Sequence, residues 1–360
     1  MKRNLWKQLS IFAAVSVMSI SLAGCGGSGN GTENASSEEN GTLNIFVWTE
    51  YVPESVIKKF EEETGIRCNV STFSSNEDML AKVRSENEGT YDIIMPSDYM
   101  VEQMTAQGML EEIDTSKLTN LSNIDSVFLS PSYDPGNKYT VPYLGGVVAI
   151  AVNTDMITEE ITSFDDLFNP AYANQEVVLD DFRAIIGMTA RSMGYSMSTQ
   201  DATELAQIKE KLLLLKPNVA LFDSDSPKSA LISGECALAS VWSAEVALAM
   251  EEVPSIKIVY PEEGAYLFVD NWAIPKGAKN ADNAMQFLNF MLDAENMKMV
   301  LEEFPYMCPN KKAVELMGAE YAANPAKNPP SEVIQKGEYI KNLDAETLAV
   351  YDNMWTELKK

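Results

Sequence analysis

Histidine is absent from all 360 residues. Its absence removes the side chain that most often serves as general base near neutral pH, breaks the Ser-His and Cys-His couples of nucleophilic catalysis, and takes away the commonest transition-metal ligand. These gaps argue against an enzyme, and neither a metal nor a cofactor is expected. Cysteine is nearly as scarce: Cys25, Cys68, Cys236 and Cys308 stand far apart without any CxxC spacing, which argues against a zinc site. Positive charge is also short. Against 53 Asp and Glu there are 27 Lys and Arg, a net charge of −26, so the surface repels nucleic acid and anionic head groups and draws cations. No nucleic-acid partner is expected. Beyond residue 24 no apolar run reaches bilayer length, so the chain is not itself a permease.

The chain begins with a cationic stretch, Lys2, Arg3 and Lys7, followed by apolar residues from Leu9 to Ala23, too few to span a bilayer comfortably. Residues 1–24 therefore read as an export signal. Its end, Leu22-Ala23-Gly24-Cys25, is similar to the close of lipoprotein signal peptides, which implies that Cys25 is acylated and becomes the mature amino terminus. Residues 25–41, with that cysteine and a run rich in Gly, Ser, Asn and Glu, read as a flexible tether. The folded part is then expected on the extracytoplasmic face of the cell membrane, at a cell surface or in a periplasm, held by lipid. Three cysteines remain, so at least one is unpaired; buried thiols are expected, and one disulfide stays open.

Roughly 320 residues follow the tether, which favours two domains, each able to bury a core. Residues 43–48 form a β-prone run ending at Trp48. A helical pattern follows from Pro53 through Phe60 to Gly65, with proline and glycine at the ends where helices favour them. Ile66–Phe73 and Tyr91–Met95 read as strands, Asn76–Glu86 and Asp98–Gln107 as helices. Such alternation predicts a parallel α/β sheet whose ligands collect at the carboxyl ends of strands. Two aromatic-polar turns fall there, Trp48-Thr49-Glu50-Tyr51 and Pro96-Ser97-Asp98-Tyr99. The pattern recurs later: Val177–Leu179 leads into Asp180-Asp181, Ala237–Val241 ends at Trp242-Ser243 before Glu245, and Tyr266–Ile274 carries Phe268 and Asp270 on an alternating strand. One amphipathic helix is predicted over 279–302, an aromatic-proline loop over Phe304–Pro309, and a terminal helix over 342–359.

Several of these stretches occur together, in the same order, in one known family. Trp48-Thr49-Glu50-Tyr51-Val52-Pro53, Tyr91-Asp92 with Pro96-Ser97, Ile113 to Asn120, Pro142-Tyr143, Phe222 to Pro227, Val241-Trp242 and Ala273-Ile274-Pro275 carry the match. Over residues 42–358 the chain resembles the substrate-binding proteins of spermidine/putrescine ABC importers. The resemblance implies the type II periplasmic-binding-protein fold: two α/β lobes joined by crossing strands, with the ligand in the cleft between them. Val147–Val152 and Tyr266–Ile274 look like the crossings. Lobe 1 would comprise 42–147 and 269–316, lobe 2 148–268 and 317–360. An ABC permease and an ATPase are the implied partners.

A polyamine carries positive ends separated by methylenes, so its site needs carboxylates and flat apolar walls, and ring faces supply both wall and cation attraction. By resemblance the rings are Trp48, Tyr51, Tyr99, Trp242, Phe268 and Tyr306, and the acids Glu50, Asp181 and Asp270. Thr49, Ser97 and Ser224 match hydrogen-bonding positions. Asp98 and Glu245 lie beside matched positions and join the candidates on placement; either also suits the first turn of a helix. The chain departs from spermidine-binding members at Ala184, Ile340 and Phe268, where they place a glutamate, a glutamine and a tryptophan. Putrescine and spermidine stay unranked beyond a slight lean to spermidine. Two rivals remain open: a sugar-binding lipoprotein, since carbohydrate sites also stack rings and use acids for hydroxyls, and a surface glycoside hydrolase with Asp181 and Asp270 as acid and base.

Overall fold

The structure, a computed structural model, describes residues 41–360; the signal peptide, Cys25 and nearly all of the tether lie outside the described residues. The first segment alternates strand and helix: β1 (Thr42–Trp48), α1 (Glu54–Thr64), β2 (Arg67–Phe73), α2 (Asn76–Ser85), β3 (Ile93–Ile94) and α3 (Asp98–Ala106). Pro53 sits just before α1, and Gly65 closes it at φ 71°, a left-handed position that suits a residue without Cβ. Both β2 and β3 pair parallel with β1. Only Ile93–Ile94 of the strand expected over 91–95 forms a ladder.

After irregular chain comes β4 (Thr140–Asn153), a second alternating segment of β5 (Glu176–Val178), α4 (Phe182–Ser192), α5 (Ala202–Leu215), β6 (Val219–Phe222), α6 (Lys228–Ile232), β7 (Leu238–Trp242), α7 (Ser243–Glu252) and β8 (Ile256–Val259), and then β9 (Tyr266–Ala273). Every residue of β4 is buried, as the apolar run between Thr140 and Asn153 requires when both faces are covered. From Thr140 to Val147 it pairs antiparallel with β9, and from Val148 onward with β7 and β8. The strand thus leaves one half of the sheet and enters the other, and the strand order β2-β1-β3-β9-β4-β7-β5-β6 runs through both.

The remaining chain wraps the two halves. Where one helix was expected over 279–302 there are two, α8 (Ala281–Met291) and α9 (Ala294–Glu303), because the Asp293 carboxylate accepts from the backbone N–H groups of Glu295 and Asn296 and starts a new helix. Three short helices follow, α10 (Lys311–Met317), α11 (Ala319–Ala323) and α12 (Ser331–Lys336), then β10 (Glu338–Tyr339), which pairs with β9, and α13 (Ala345–Lys359), capped by Asp344. Each half has its own aromatic core. In the first, Phe60 meets Phe287 and Phe290 edge-on at 5.1 and 5.2 Å, and Trp272 lies between Tyr143 and Phe287. In the second, α13 packs Tyr351 against Phe182 and Trp355 against Phe222. Burying one such ring contributes about 2–3 kcal/mol. Cys68, Cys236 and Cys308 are free thiols, and burial pushes them up to about 12, 11 and 12. Among the described residues, no helix is long and apolar enough to cross a membrane.

Candidate functional site

Strand ends from both halves converge on one narrow cavity of about 50 Å³. Eleven sequence-predicted residues line it: Trp48, Thr49, Glu50, Tyr51, Ser97, Asp181, Ser224, Trp242, Phe268, Asp270 and Tyr306. The last residue of β1 and the turn after it supply the first four, the ends of β3, β5, β6 and β7 the next four, β9 itself Phe268 and Asp270, and the loop after α9 Tyr306. Tyr266, Phe268 and Asp270 alternate along β9 and so share its cavity face.

The walls are aromatic. Trp242 meets Phe268 edge-on at 5.0 Å, Phe268 lies 6.3 Å from Tyr306, and Tyr306 packs against Tyr51 at 4.9 Å. The Trp242 indole N–H donates to the Ser224 carbonyl at 3.3 Å, while Ser224 Oγ is buried without a partner. Opposite β9, two glycines of β4 leave room for these rings: a Cβ on Gly146 would come within 2.9 Å of the Phe268 ring, and one on Gly145 within 2.6 Å of its carbonyl oxygen.

Asp270 is the best buried acid of the cavity. Ser97 Oγ donates to one oxygen at 2.5 Å and the Tyr51 hydroxyl to the other at 2.8 Å; Asn76 Nδ2 donates to Ser97 Oγ at 3.0 Å and orients it. Burial raises Asp270 to about 6, with the charge of Asp181 adding to the rise and the donors from Ser97 and Tyr51 opposing it. Asp181 caps α4 by accepting from the Ala184 N–H at 3.0 Å. Burial raises it too, to about 6, and its neighbour Asp180 turns outward to Lys359. No lysine or arginine pairs with Asp181 or Asp270 at ion-pair distance among the described residues. The Arg183 charge opposes part of the rise at Asp181, and two carboxylates without an ion-pair partner among ring faces can hold a cationic, partly apolar guest.

The other three predicted residues lie elsewhere. An α-helix turns by about 100° per residue, so the start of α3 carries Asp98 and Tyr99 away from Ser97. They line a second cavity behind β9, of about 290 Å³, with Tyr133 and Tyr339. There Asp98 accepts from the Val269 N–H at 3.3 Å, and burial pushes it well above the usual carboxylate range. Glu245 is buried beside the first cavity, where its carboxylate meets Lys228 Nζ at 3.1 Å. Burial raises Glu245, and the lysine opposes the rise.

Four further residues line the first cavity: Ser74, Asn76, Tyr266 and Asp225. Ser74 and Asn76 follow β2 as Thr49–Tyr51 follow β1, and Tyr266 precedes Phe268 by two, so the strand-end rule and the alternation pointed to them. Contacts also bridge the two halves. Ser74 Oγ donates to Asp225 at 3.1 Å, and Arg183 Nε donates to Glu77 at 2.9 Å with its guanidinium 4.3 Å over the Tyr99 ring.

The family profile described as bacterial extracellular solute-binding protein matches residues 55–329. The spermidine/putrescine-binding periplasmic protein of Salmonella typhimurium is 39% identical over 330 residues, 91% of this chain and 94% of that protein. Among solved structures, a Listeria monocytogenes protein assigned to a spermidine/putrescine ABC transporter superposes with a TM-score of 0.85 at 35% identity, covering 88% of this chain and 98% of its own. The spermidine/putrescine ABC transporter substrate-binding protein of Streptococcus pneumoniae gives a TM-score of 0.76 at 34% identity, with coverage of 88% and 98%.

Proposed function

The chain belongs to the bacterial extracellular solute-binding proteins, and from that premise we propose that it binds a polyamine of the spermidine/putrescine class outside the cell membrane and delivers it to an ABC permease and its ATPase. The two-lobe α/β fold expected from the resemblance is the fold found. We assign lobe 1 to 42–147 and 269–316 and lobe 2 to 148–268 and 317–360, with the hinge where β4 and β9 cross. Cys25 carries the lipid that holds the protein at the membrane. The protein acts by binding and release, without catalysis.

The observation that carries this reading is the pair Asp181 and Asp270, one from each half of the sheet, facing a single ring-walled cavity. In the proposed complex the two carboxylates take the ammonium ends. Trp48, Tyr51, Trp242, Phe268 and Tyr306 wall the methylenes, each well-placed ring adding about 0.5–2 kcal/mol of cation attraction. Thr49, Ser97 and Ser224 supply oxygens for the N–H groups that remain. Without a guest, bringing unpaired acids together in a dry gap is costly, so the lobes resist closing; an arriving dication removes that cost and drives the hinge. A neutral sugar would leave both charges unanswered, which weighs against the carbohydrate reading.

Titration calorimetry with putrescine and spermidine at increasing salt tests the assignment. Heat is expected from at least one amine, with affinity falling steeply as ionic strength rises. No heat from either, or binding indifferent to salt, overturns it.

A further inference from the structure

An ammonium group is already seated beside the cavity, and it belongs to the protein. Lys228 opens α6, and its Nζ lies 3.1 Å from Glu50 Oε2, 3.1 and 3.3 Å from the two oxygens of Glu245, and 3.0 Å from Ser226 Oγ. Three partners match the three N–H donors of a lysine. Glu50 lines the cavity from the turn after β1, whereas Glu245 belongs to α7 in the other half of the sheet. The lysine side chain is itself mostly enclosed, with 20% of its surface exposed, and Glu245 has 5%. Drawing Lys228 out would strand a buried carboxylate, a large penalty. Burial opposes the lysine's charge, but Glu245 and Glu50 more than offset it, so the group stays an ammonium.

That arrangement fixes how many positive charges the cavity can still accept. Of the four acids that line it, Glu50 is answered by Lys228, Asp225 is exposed to water and accepts from the Ser74 hydroxyl, and Asp181 and Asp270 have no lysine or arginine at ion-pair distance among the described residues. Arg183 offsets part of the charge of Asp181 without forming an ion pair with it, so the two enclosed carboxylates, Asp181 and Asp270, match two ammonium groups. A third ligand nitrogen near Glu50 would meet a carboxylate already engaged and a like charge beside it.

We propose that Lys228 is a resident ammonium standing where a third ligand nitrogen would otherwise sit, so that the site selects α,ω-diamines over triamines. The inference rests on the polyamine reading and reverses the slight lean of the sequence toward spermidine.

The test compares putrescine and spermidine by calorimetry on the full chain and on Lys228→Met, Lys228→Met/Glu245→Gln and Lys228→Arg. The double variant removes the buried carboxylate that the lysine otherwise neutralises, so it stays folded where the single change strands that charge. The unaltered protein is expected to bind putrescine at least tenfold more tightly than spermidine. In the double variant the ratio shifts at least tenfold toward spermidine, because Glu50 is released; Lys228→Arg keeps the original preference. Heat from neither amine with the unaltered protein removes the polyamine reading and this inference with it. Both amines bound with a ratio that the double variant does not move, or a preference for spermidine in the unaltered protein, overturns this inference alone.

Discussion

Asp270→Asn keeps the shape of the side chain and removes its charge, which separates the stability of the empty protein from its ability to hold a guest. Asp270 is raised from 3.8 to about 6 in the folded chain. At about 1.4 kcal/mol per unit, keeping it ionised costs the fold about 3 kcal/mol. The sign follows from linkage: an acid raised by folding binds more protons in the native state, so its ionisation erodes stability as pH climbs from about 4 through 6 and completes above about 7. The asparagine carries none of this pH dependence. It does have only one oxygen for the donors from Ser97 and Tyr51, which costs about 1–3 kcal/mol at every pH. The variant should therefore be the less stable protein near pH 4 and at least the equal of the original at pH 8, the relative gain approaching about 3 kcal/mol. Urea unfolding of both proteins without amine, in steps from pH 4.5 to 8, measures the gap. At pH 8 the variant should also give no heat with either amine and no thermal shift. A stability gap that stays flat with pH, or an amine response equal to that of the original protein, would refute the reasoning.

The same two acids make binding pH-dependent. Asp181 and Asp270 sit at about 6 when the site is empty and must be ionised to hold a dication, so affinity should fall at least tenfold from pH 8 to pH 5, with protons released on binding at pH 6; equal affinities at both ends would remove the carboxylates from the site. Trp242→Ala removes a wall and a ring worth about 0.5–2 kcal/mol of cation attraction and should weaken binding roughly two- to thirtyfold. Glu62→Ala, whose carboxylate is 65% exposed and pairs loosely with Lys58, should leave the isotherm where it was. Indistinguishable isotherms for the two variants would overturn the site assignment.

Much of the fold could be read from the chain because its signals are local. Trp48 ends an apolar run, Gly65 closes a helix, and Phe268 and Asp270 alternate on a strand, so each was placed by its neighbours. Where a second local signal competed, the reading slipped: Asp293 starts a new helix inside an otherwise continuous amphipathic pattern, because its carboxylate satisfies two backbone N–H groups. Asp98 and Tyr99 follow Ser97 directly, yet the first turn of α3 sends them behind β9 into the second cavity. The least legible element was Lys228, which meets Glu50 across 178 residues of sequence. Nothing near either residue announces the pairing, since ion pairs between the two halves of the sheet depend on how the sheet crosses over, and the crossover is a property of the whole chain.

The bare backbone of Gly146 sets a limit on how this protein could be retuned. Across from it the Phe268 ring fills the slot so fully that even one methyl group on the glycine would collide. A bulkier ring at 268 must grow away from β4, toward Trp242 and the guest, because the strand behind it has nothing left to give up. Engineering a new appetite at that position therefore means choosing rings by the direction in which they extend, and compensating on α7 and the Tyr306 loop; the crossover behind them is already stripped to its minimum.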